Sequence, residues 1–259
     1  MKVTLIGAGN MGGALAHGWL KSGCVELTIA DKNEALLRSF SDRYASVHTT
    51  TDNKEAVKDA EIIVLVVKPW LMPAVIEEIR PAVRLDRQIV VSDAANFTTA
   101  KLEEAFGGKG QFMYVIPNIA AEYGASMSFV ARGSESIDET TEKVKRLYEI
   151  CGAVSVVEES QVAAGMMMAS CGIAYVMRMV RAMTLGGVEM GFYPSQAQQI
   201  AQQTMLGAVR LLQESGLHPE AAIDRVTTPG GVTIKGLNEL DMAGFNAAGI
   251  RCLKAGLKH

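Results

Sequence analysis

Cysteine and histidine are scarce, with four of each among 259 residues, and neither falls in a pattern. Cys24, Cys151, Cys171 and Cys252 form no CxxC pair and no zinc spacing. So few cysteines in a chain this long do not make a disulfide framework, and they point to a reducing, cytoplasmic compartment. His17, His48, His218 and His259 are scattered, read as ordinary surface or helix histidines, and suggest no metal site. Net charge is also small, although the charged content of 20% is ordinary. A net charge of −3 offers no electrostatic case for a nucleic-acid or anionic-membrane partner. No uninterrupted apolar run reaches about 18 residues, so no membrane span is expected. The opening MKVTLIGAGNMGG has one basic residue and a short apolar run broken by glycines. It reads as a strand entering a turn, not as a signal peptide.

What is present is enough apolar residue, 49%, to bury a core. Short Val/Ile/Leu-rich runs at Val3–Ile6, Leu27–Ala30, Ile62–Val67, Ile89–Val91, Phe112–Ile116, Met127–Val130 and Val154–Val157 read as strands. Helical patterns lie between most of them, as at Met11–Lys21, Met72–Ile79, Lys101–Phe106 and Ile137–Ile150. The alternation implies an α/β domain whose mostly parallel sheet is covered on both faces. From about Glu158 the strand pattern stops. Gln161–Met190, Ser195–Ser215, Pro219–Arg225, Val232–Met242 and Phe245–Ala255 all have helical period. Two domains are expected: 1–158, of Rossmann type, and 159–259, all helical.

The strongest local motif is 3-VTLIGAGNMGGALAHGW-19, a strand, then Gly7-x-Gly9-x-x-Gly12, then an amphipathic helix. Gly7 permits the tight turn, Gly9 lets backbone approach a pyrophosphate, and Gly12 allows close packing of helix on strand. The phosphate then meets the unpaired N–H groups of a helix N-terminus. Asp31 follows the second strand, 19 residues after Gly12, where a carboxylate can accept from adenosine ribose hydroxyls and favour NAD over NADP. A strand-end Asp that caps the next helix is the other reading, and Lys32 beside it could tolerate a 2′-phosphate. Loops at Lys68–Pro69, Ala94–Ala95 and Pro117–Asn118 follow three further strands and can face the same crevice.

A second motif, 228-TPGGVTI-234, sits late in the helical half. It combines backbone N–H groups with a helix start, which suits a carboxylate. A plain helix connection, with Thr228 or Thr233 as a cap, is the alternative. The run Met166–Met168, with Met177, Met179 and Met183, reads as flexible core or interface filler. Cys171 has no histidine near it in sequence and is not read as a nucleophile.

With these motifs the chain resembles the pyrroline-5-carboxylate reductases along essentially its whole length. The resemblance rests on GAGNMGGA (7–14), DNKEA (52–56), VKP (67–69), SDAANFT (92–98), IPN (116–118), AYVM (174–177), 201-AQQTMLGAVRLLQESGLHP-219, TPGGVTI (228–234) and GF (244–245). It implies reduction of the cyclic imine 1-pyrroline-5-carboxylate to L-proline with NADPH or NADH, and dimerisation through the helical domain. It also implies roles. Gly7, Ala8, Gly9, Asn10, Met11 and Gly12 would hold the pyrophosphate, Asn53 would contact the adenosine side, and Val67, Lys68, Pro69, Ala94 and Ala95 the nicotinamide side. Glu159 and the loop Thr228, Gly230, Gly231, Val232 and Thr233 would hold the substrate, with the Thr233 hydroxyl on the imine nitrogen. A homodimer or a ring of dimers through 160–259 follows from the same resemblance and from the apolar residues on most faces of Gln161–Met190.

The chain departs from the family pattern at four places. It reads 170-SCGIAY-175 where the family has Gly-Ser-Gly-Pro-Ala-Tyr, and Ile119–Ala120 where the family has Thr-Pro. It also has 94-AAN-96 for Ala-Ala-Gly, and Thr228 for Ser. The sequence therefore leaves two alternatives open: a related reductase for a different imine or carbonyl, and a non-catalytic dinucleotide-binding oligomer.

Overall fold

A computed structural model describes residues 1–258, with side chains through Leu257. His259 lies outside the described residues. The chain divides into two compact units, Met1–Cys171 and Gly172–His259.

The first unit is built on an eight-stranded sheet of order β3-β2-β1-β4-β5-β6-β7-β8. The strands are β1 (Lys2–Ile6), β2 (Glu26–Ala30), β3 (His48–Thr50), β4 (Ile62–Leu65), β5 (Ile89–Ser92), β6 (Gln111–Ile116), β7 (Ser126–Arg132) and β8 (Gly152–Val156). Every neighbouring pair is parallel except β6 with β7. β4 and β5 are buried along their whole length, which explains why they read as unbroken apolar runs. β3 shows no apolar run. It is a three-residue edge strand, His48-Thr49-Thr50, defined by its pairing with Thr28–Ala30 rather than by its own composition.

Helices α1 (Asn10–Ser22), α2 (Glu34–Ser41), α3 (Asn53–Val57), α4 (Met72–Ile79), α5 (Thr99–Phe106) and α6 (Asp138–Glu149) cover the sheet. One face packs Leu15 and Trp19 of α1 with Leu147 and Tyr148 of α6. Trp19 is fully buried, donates from Nε1 to the Leu147 carbonyl at 3.0 Å, and meets the Tyr148 ring edge-on. The other face packs Met72, Ile76 and Ile79 of α4 against Leu102 and Phe106 of α5. The register places Ile6 level with Ala30 and with Leu65, and Leu65 level with Ser92. The loops after β1, β2, β4 and β5 therefore leave the sheet at one edge, beside the β1–β4 reversal of strand order. Ligands bind at such a point in open α/β sheets.

The unit closes with α7 (Glu159–Gly165) and a π-helical stretch, Met166–Cys171. The second unit is all helical: α8 (Gly172–Glu189), α9 (Pro194–Ser215), α10 (Pro219–Asp224), α11 (Val232–Met242) and α12 (Phe245–Ala255). Gly187 of α8 packs so tightly on α9 that a Cβ there would lie 2.9 Å from that of Ala197. Few apolar side chains of this unit are buried within the chain. Val176, Met177 and Leu185 of α8 are each more than half exposed, and α11 and α12 bury nothing fully. The helical run Glu159–Glu189 has a mean hydropathy of 1.4 over an 18-residue window, enough by length and composition to cross a membrane. It escapes notice as an apolar run because Arg178 and Arg181 interrupt it.

Candidate active site

A cleft of about 690 Å³ opens at the sheet edge within the first unit. Its walls include Gly7, Gly9, Asn10, Met11, Asp31, Val67, Lys68, Pro69, Ala94 and Ala95, all singled out from the sequence. Three other residues of the expected set do not line it. The Ala8 N–H bonds Asp31 Oδ2 at 2.7 Å. Gly12 packs on Gly7, where a Cβ would come within 1.9 Å of the Gly7 carbonyl oxygen. Asn53 is buried and donates from Nδ2 to Glu78 Oε2 at 2.9 Å.

The residues fit a dinucleotide. Gly9 is the N-cap of α1 and supplies no side-chain cap, so the first N–H groups of the helix are left for a ligand. A Cβ built on Gly9 meets nothing within 4 Å, so the space before the loop is open. Asp31 is held in place by two backbone donors, Ala8 to Oδ2 and Asn33 to Oδ1 at 2.8 Å. The bond to Asn33 is a local turn before α2, and Asp31 does not cap that helix: its N-cap is Asn33, whose side chain accepts from the Ala35 and Leu36 N–H groups. The bond to Ala8 orients the same carboxylate towards the glycine loop, where its remaining lone pairs can accept from ribose hydroxyls. Lys32 is committed elsewhere: its ammonium contacts Glu78 Oε1 at 3.1 Å and the Thr51 carbonyl at 3.2 Å.

Glu159, at the start of α7, accepts at Oε2 from both the N–H and the hydroxyl of Thr99, at 2.9 and 2.7 Å. It ties α7 to the start of α5 and keeps Oε1 outside those two bonds. Thr228–Thr233 belong to the second unit. Gly230 has φ +70° and Gly231 is the N-cap of α11, with no side-chain cap. The Gly231 N–H points inward, to the Thr228 carbonyl at 2.9 Å, so it is not a donor for an outside carboxylate. The N–H groups without an intrahelical partner are those of the first turn of α11, at Val232 and Thr233. The Thr233 side chain is exposed and caps nothing: it follows the N-cap by two residues.

The cleft also holds residues that sequence reasoning did not single out for it. Met166 lines it from the π-helical stretch, beside Ser170 of the departing segment 170-SCGIAY-175, which the sequence did point to. Met166 is therefore more than core filler, and such widened turns are frequent at functional sites. Asp93 lines it too, at the end of β5. The one available signal was a carboxylate directly before Ala94–Ala95 at the close of an apolar strand. Asp93 is 8% exposed, and the Tyr148 hydroxyl donates to its Oδ1 at 2.6 Å. Its Oδ2 is buried without a hydrogen-bond partner. Burial pushes the Asp93 carboxyl well above the usual carboxylate range, against the pull of the Tyr148 hydrogen bond. Burial, then the Asp93 charge, raises the Tyr148 phenol well above its ordinary value and the Cys151 thiol to about 12.

Comparison with known proteins agrees with this architecture. Residues 2–96 match the family model for NADP oxidoreductase, coenzyme F420-dependent, and residues 159–259 match that for pyrroline-5-carboxylate reductase dimerisation. The chain is 32% identical to pyrroline-5-carboxylate reductase 3 of Rattus norvegicus, over 98% of this chain and 93% of that protein. It is 31% identical to pyrroline-5-carboxylate reductase of Methanosarcina acetivorans, over 95% and 92%. The solved pyrroline carboxylate reductase of Plasmodium falciparum, with NADP bound, superposes with a TM-score of 0.89 at 23% identity, over 99% of this chain and 95% of that one. The solved enzyme of Coxiella burnetii gives 0.89 at 24%, over 98% and 95%. Sequence likeness that runs through both units, on a shared fold, makes this chain a member of the pyrroline-5-carboxylate reductase family.

Proposed function

We propose that the chain reduces 1-pyrroline-5-carboxylate to L-proline, the last step of proline biosynthesis, with a nicotinamide dinucleotide as hydride source. The observation that carries this reading is its 31–34% identity to proteins of that name over nearly the whole chain. In this reading residues 1–158 bind the dinucleotide, and 159–259 supply the substrate loop and the assembly surface. Gly7 to Gly12 hold the pyrophosphate, Asp31 and Asn53 the adenosine side, and Val67, Lys68, Pro69, Ala94 and Ala95 the nicotinamide side. The substrate carboxylate sits at the N–H groups of Val232 and Thr233, where the helix dipole favours an anion. Gly230 shapes the loop, with Thr228 and Gly231 in it, and Glu159 is the further substrate contact that the resemblance implies. The Thr233 hydroxyl orients the imine nitrogen. The cytoplasmic setting is read from the cysteine spacing, which forms no disulfide framework. The test is oxidation of NADH or NADPH with 1-pyrroline-5-carboxylate, run beside proline-dependent reduction of NAD⁺ at high pH. Absence of both activities overturns the reading. A related reductase for a different imine is the second reading. The replaced segment 170-SCGIAY-175 favours it, because Ser170 lies in the cleft wall.

NADH is expected to serve at least as efficiently as NADPH. A 2′-phosphate would approach the fixed Asp31 carboxylate, while the nearby Lys32 is paired with Glu78. Asp31→Ser should raise kcat/KM for NADPH relative to NADH. A wild-type preference for NADPH that the substitution leaves unchanged would refute this.

Assembly through the helical half is expected to be obligate. Val176, Met177 and Leu185 on α8 and Met242, Phe245 and Ile250 on α11 and α12 are exposed, apolar surface that a second copy would cover. A dimer or ring of dimers through 160–259 covers them. Light scattering at micromolar concentration should find no folded monomer.

A further inference from the structure

We propose that Glu78 sets the dinucleotide preference of this chain by holding Lys32 away from an adenosine 2′-phosphate. This deepens the cofactor reading above and rests on it. Lys32 directly follows Asp31, just past the end of β2, where a Rossmann-type crevice meets the adenosine ribose. A cation free to turn towards the ribose from there accommodates a 2′-phosphate. Asp31 lines the cleft, but Lys32 does not.

Helix α4 accounts for the difference. Met72, Ile76 and Ile79 form its buried face, at i, i+4 and i+7. Glu77 is left in solvent, while Glu78 lies at the boundary of that face, with its side chain 31% exposed. From there its two carboxylate oxygens have separate partners. Oε2 accepts from Asn53 Nδ2 at 2.9 Å, and Asn53 is the buried first residue of α3. Oε1 accepts from the Lys32 ammonium at 3.1 Å, and the Thr51 carbonyl accepts from the same ammonium at 3.2 Å. An exposed ion pair is ordinarily weak, because two long side chains must be ordered to form it. Here Asn53 already fixes one of them, so Lys32 alone loses freedom. All of these residues belong to the first compact unit.

With Lys32 on Glu78, its charge is matched away from the cleft, and the Asp31 carboxylate stands at the ribose end without a cation beside it. The two ribose hydroxyls of NADH can donate to that carboxylate. NADPH presents a phosphate in place of one of them, which Asp31 repels and Lys32 does not offset. Glu78→Gln releases the lysine. A glutamine oxygen can still accept from Asn53, but it carries no charge to hold the ammonium.

Calorimetric titration with NADPH and with NADH, with no imine present, tests this in wild type, E78Q, K32A and the double variant. E78Q should bind NADPH on the order of tenfold more tightly and NADH within about twofold of wild type, as expected when one unit charge changes near a phosphate at a protein surface. Adding K32A should remove that gain, whereas K32A alone should weaken NADPH binding by less than about threefold, a coupling that independent sites do not show. An NADPH-to-NADH affinity ratio unchanged in E78Q, or a gain that K32A does not remove, overturns the proposal while the reductase reading stands. If thermal unfolding shows that E78Q does not fold, the exposed Lys32 decides: a larger loss of NADPH affinity in K32A alone means that the lysine already serves the phosphate, and the proposal falls. A wild type that binds neither nucleotide overturns the cofactor reading and the proposal together.

Discussion

Gly12→Ala is expected to cost the chain its dinucleotide affinity and part of its stability together. A Cβ at residue 12 would sit 1.9 Å from the Gly7 carbonyl oxygen, a backbone atom that cannot swing aside. Gly7 is itself confined, with φ +102° and the Val66 carbonyl 2.7 Å from where its own Cβ would be. Helix α1 would have to move off the loop that it braces. Overpacking of this kind costs about 1–3 kcal/mol or more. The affinity for NADH should fall on the order of 100-fold, about 2.8 kcal/mol. Gly9→Ala makes the informative contrast. Its Cβ would meet nothing within 4 Å in the protein, so thermal unfolding should be unchanged. The methyl group would nonetheless stand where a pyrophosphate must approach the helix N-terminus, and binding should weaken. Calorimetric titration with NADH, beside thermal unfolding of both variants, tests the pair. Normal affinity in Gly9→Ala would show that this loop does not cradle phosphate.

Thr233→Val is expected to lower kcat by about ten- to a hundredfold with a smaller change in KM. One hydrogen bond to a charged or charging group is worth about 1.5–3 kcal/mol. An interaction that strengthens in the transition state appears in kcat. The structure sharpens the competing explanation, because the N-cap of α11 is Gly231 and Thr233 caps nothing. Thr233→Val should therefore leave stability within about 0.5 kcal/mol. Gly230→Ala acts differently. At φ +70° an alanine is strained by about 1–2 kcal/mol, so the loop should reshape and KM for the imine should rise. Affinity for NADH should be untouched. A lowered melting temperature with intact kcat in Thr233→Val would show that this side chain holds structure rather than substrate.

Local pattern sufficed for much of this protein. Val3–Ile6, Gly7-x-Gly9-x-x-Gly12 and the helix after them place a dinucleotide turn without tertiary information, because strand, turn and helix N-terminus are consecutive. Val232–Met242 and Phe245–Ala255 were legible to the residue, since Gly231 and Gly244 mark their starts. Short polar β3 was not, because a strand of His48-Thr49-Thr50 exists only by pairing with β2. Nor were the contacts that shape the site. Asp93 and Tyr148 lie 55 residues apart, and Thr99 and Glu159 lie 60 apart. Periodicity says that a side chain is buried, but strand register and helix packing decide which other buried group it meets. Composition and spacing thus determined the fold class and the cofactor turn, and the resemblance of whole motifs pointed to the family of this chain. Only the tertiary structure decided that Lys32 is spent on Glu78, that the Gly231 N–H turns inward, and that a carboxyl without a partner for Oδ2 lies in the cleft wall, because each depends on groups that folding alone brings within hydrogen-bond reach.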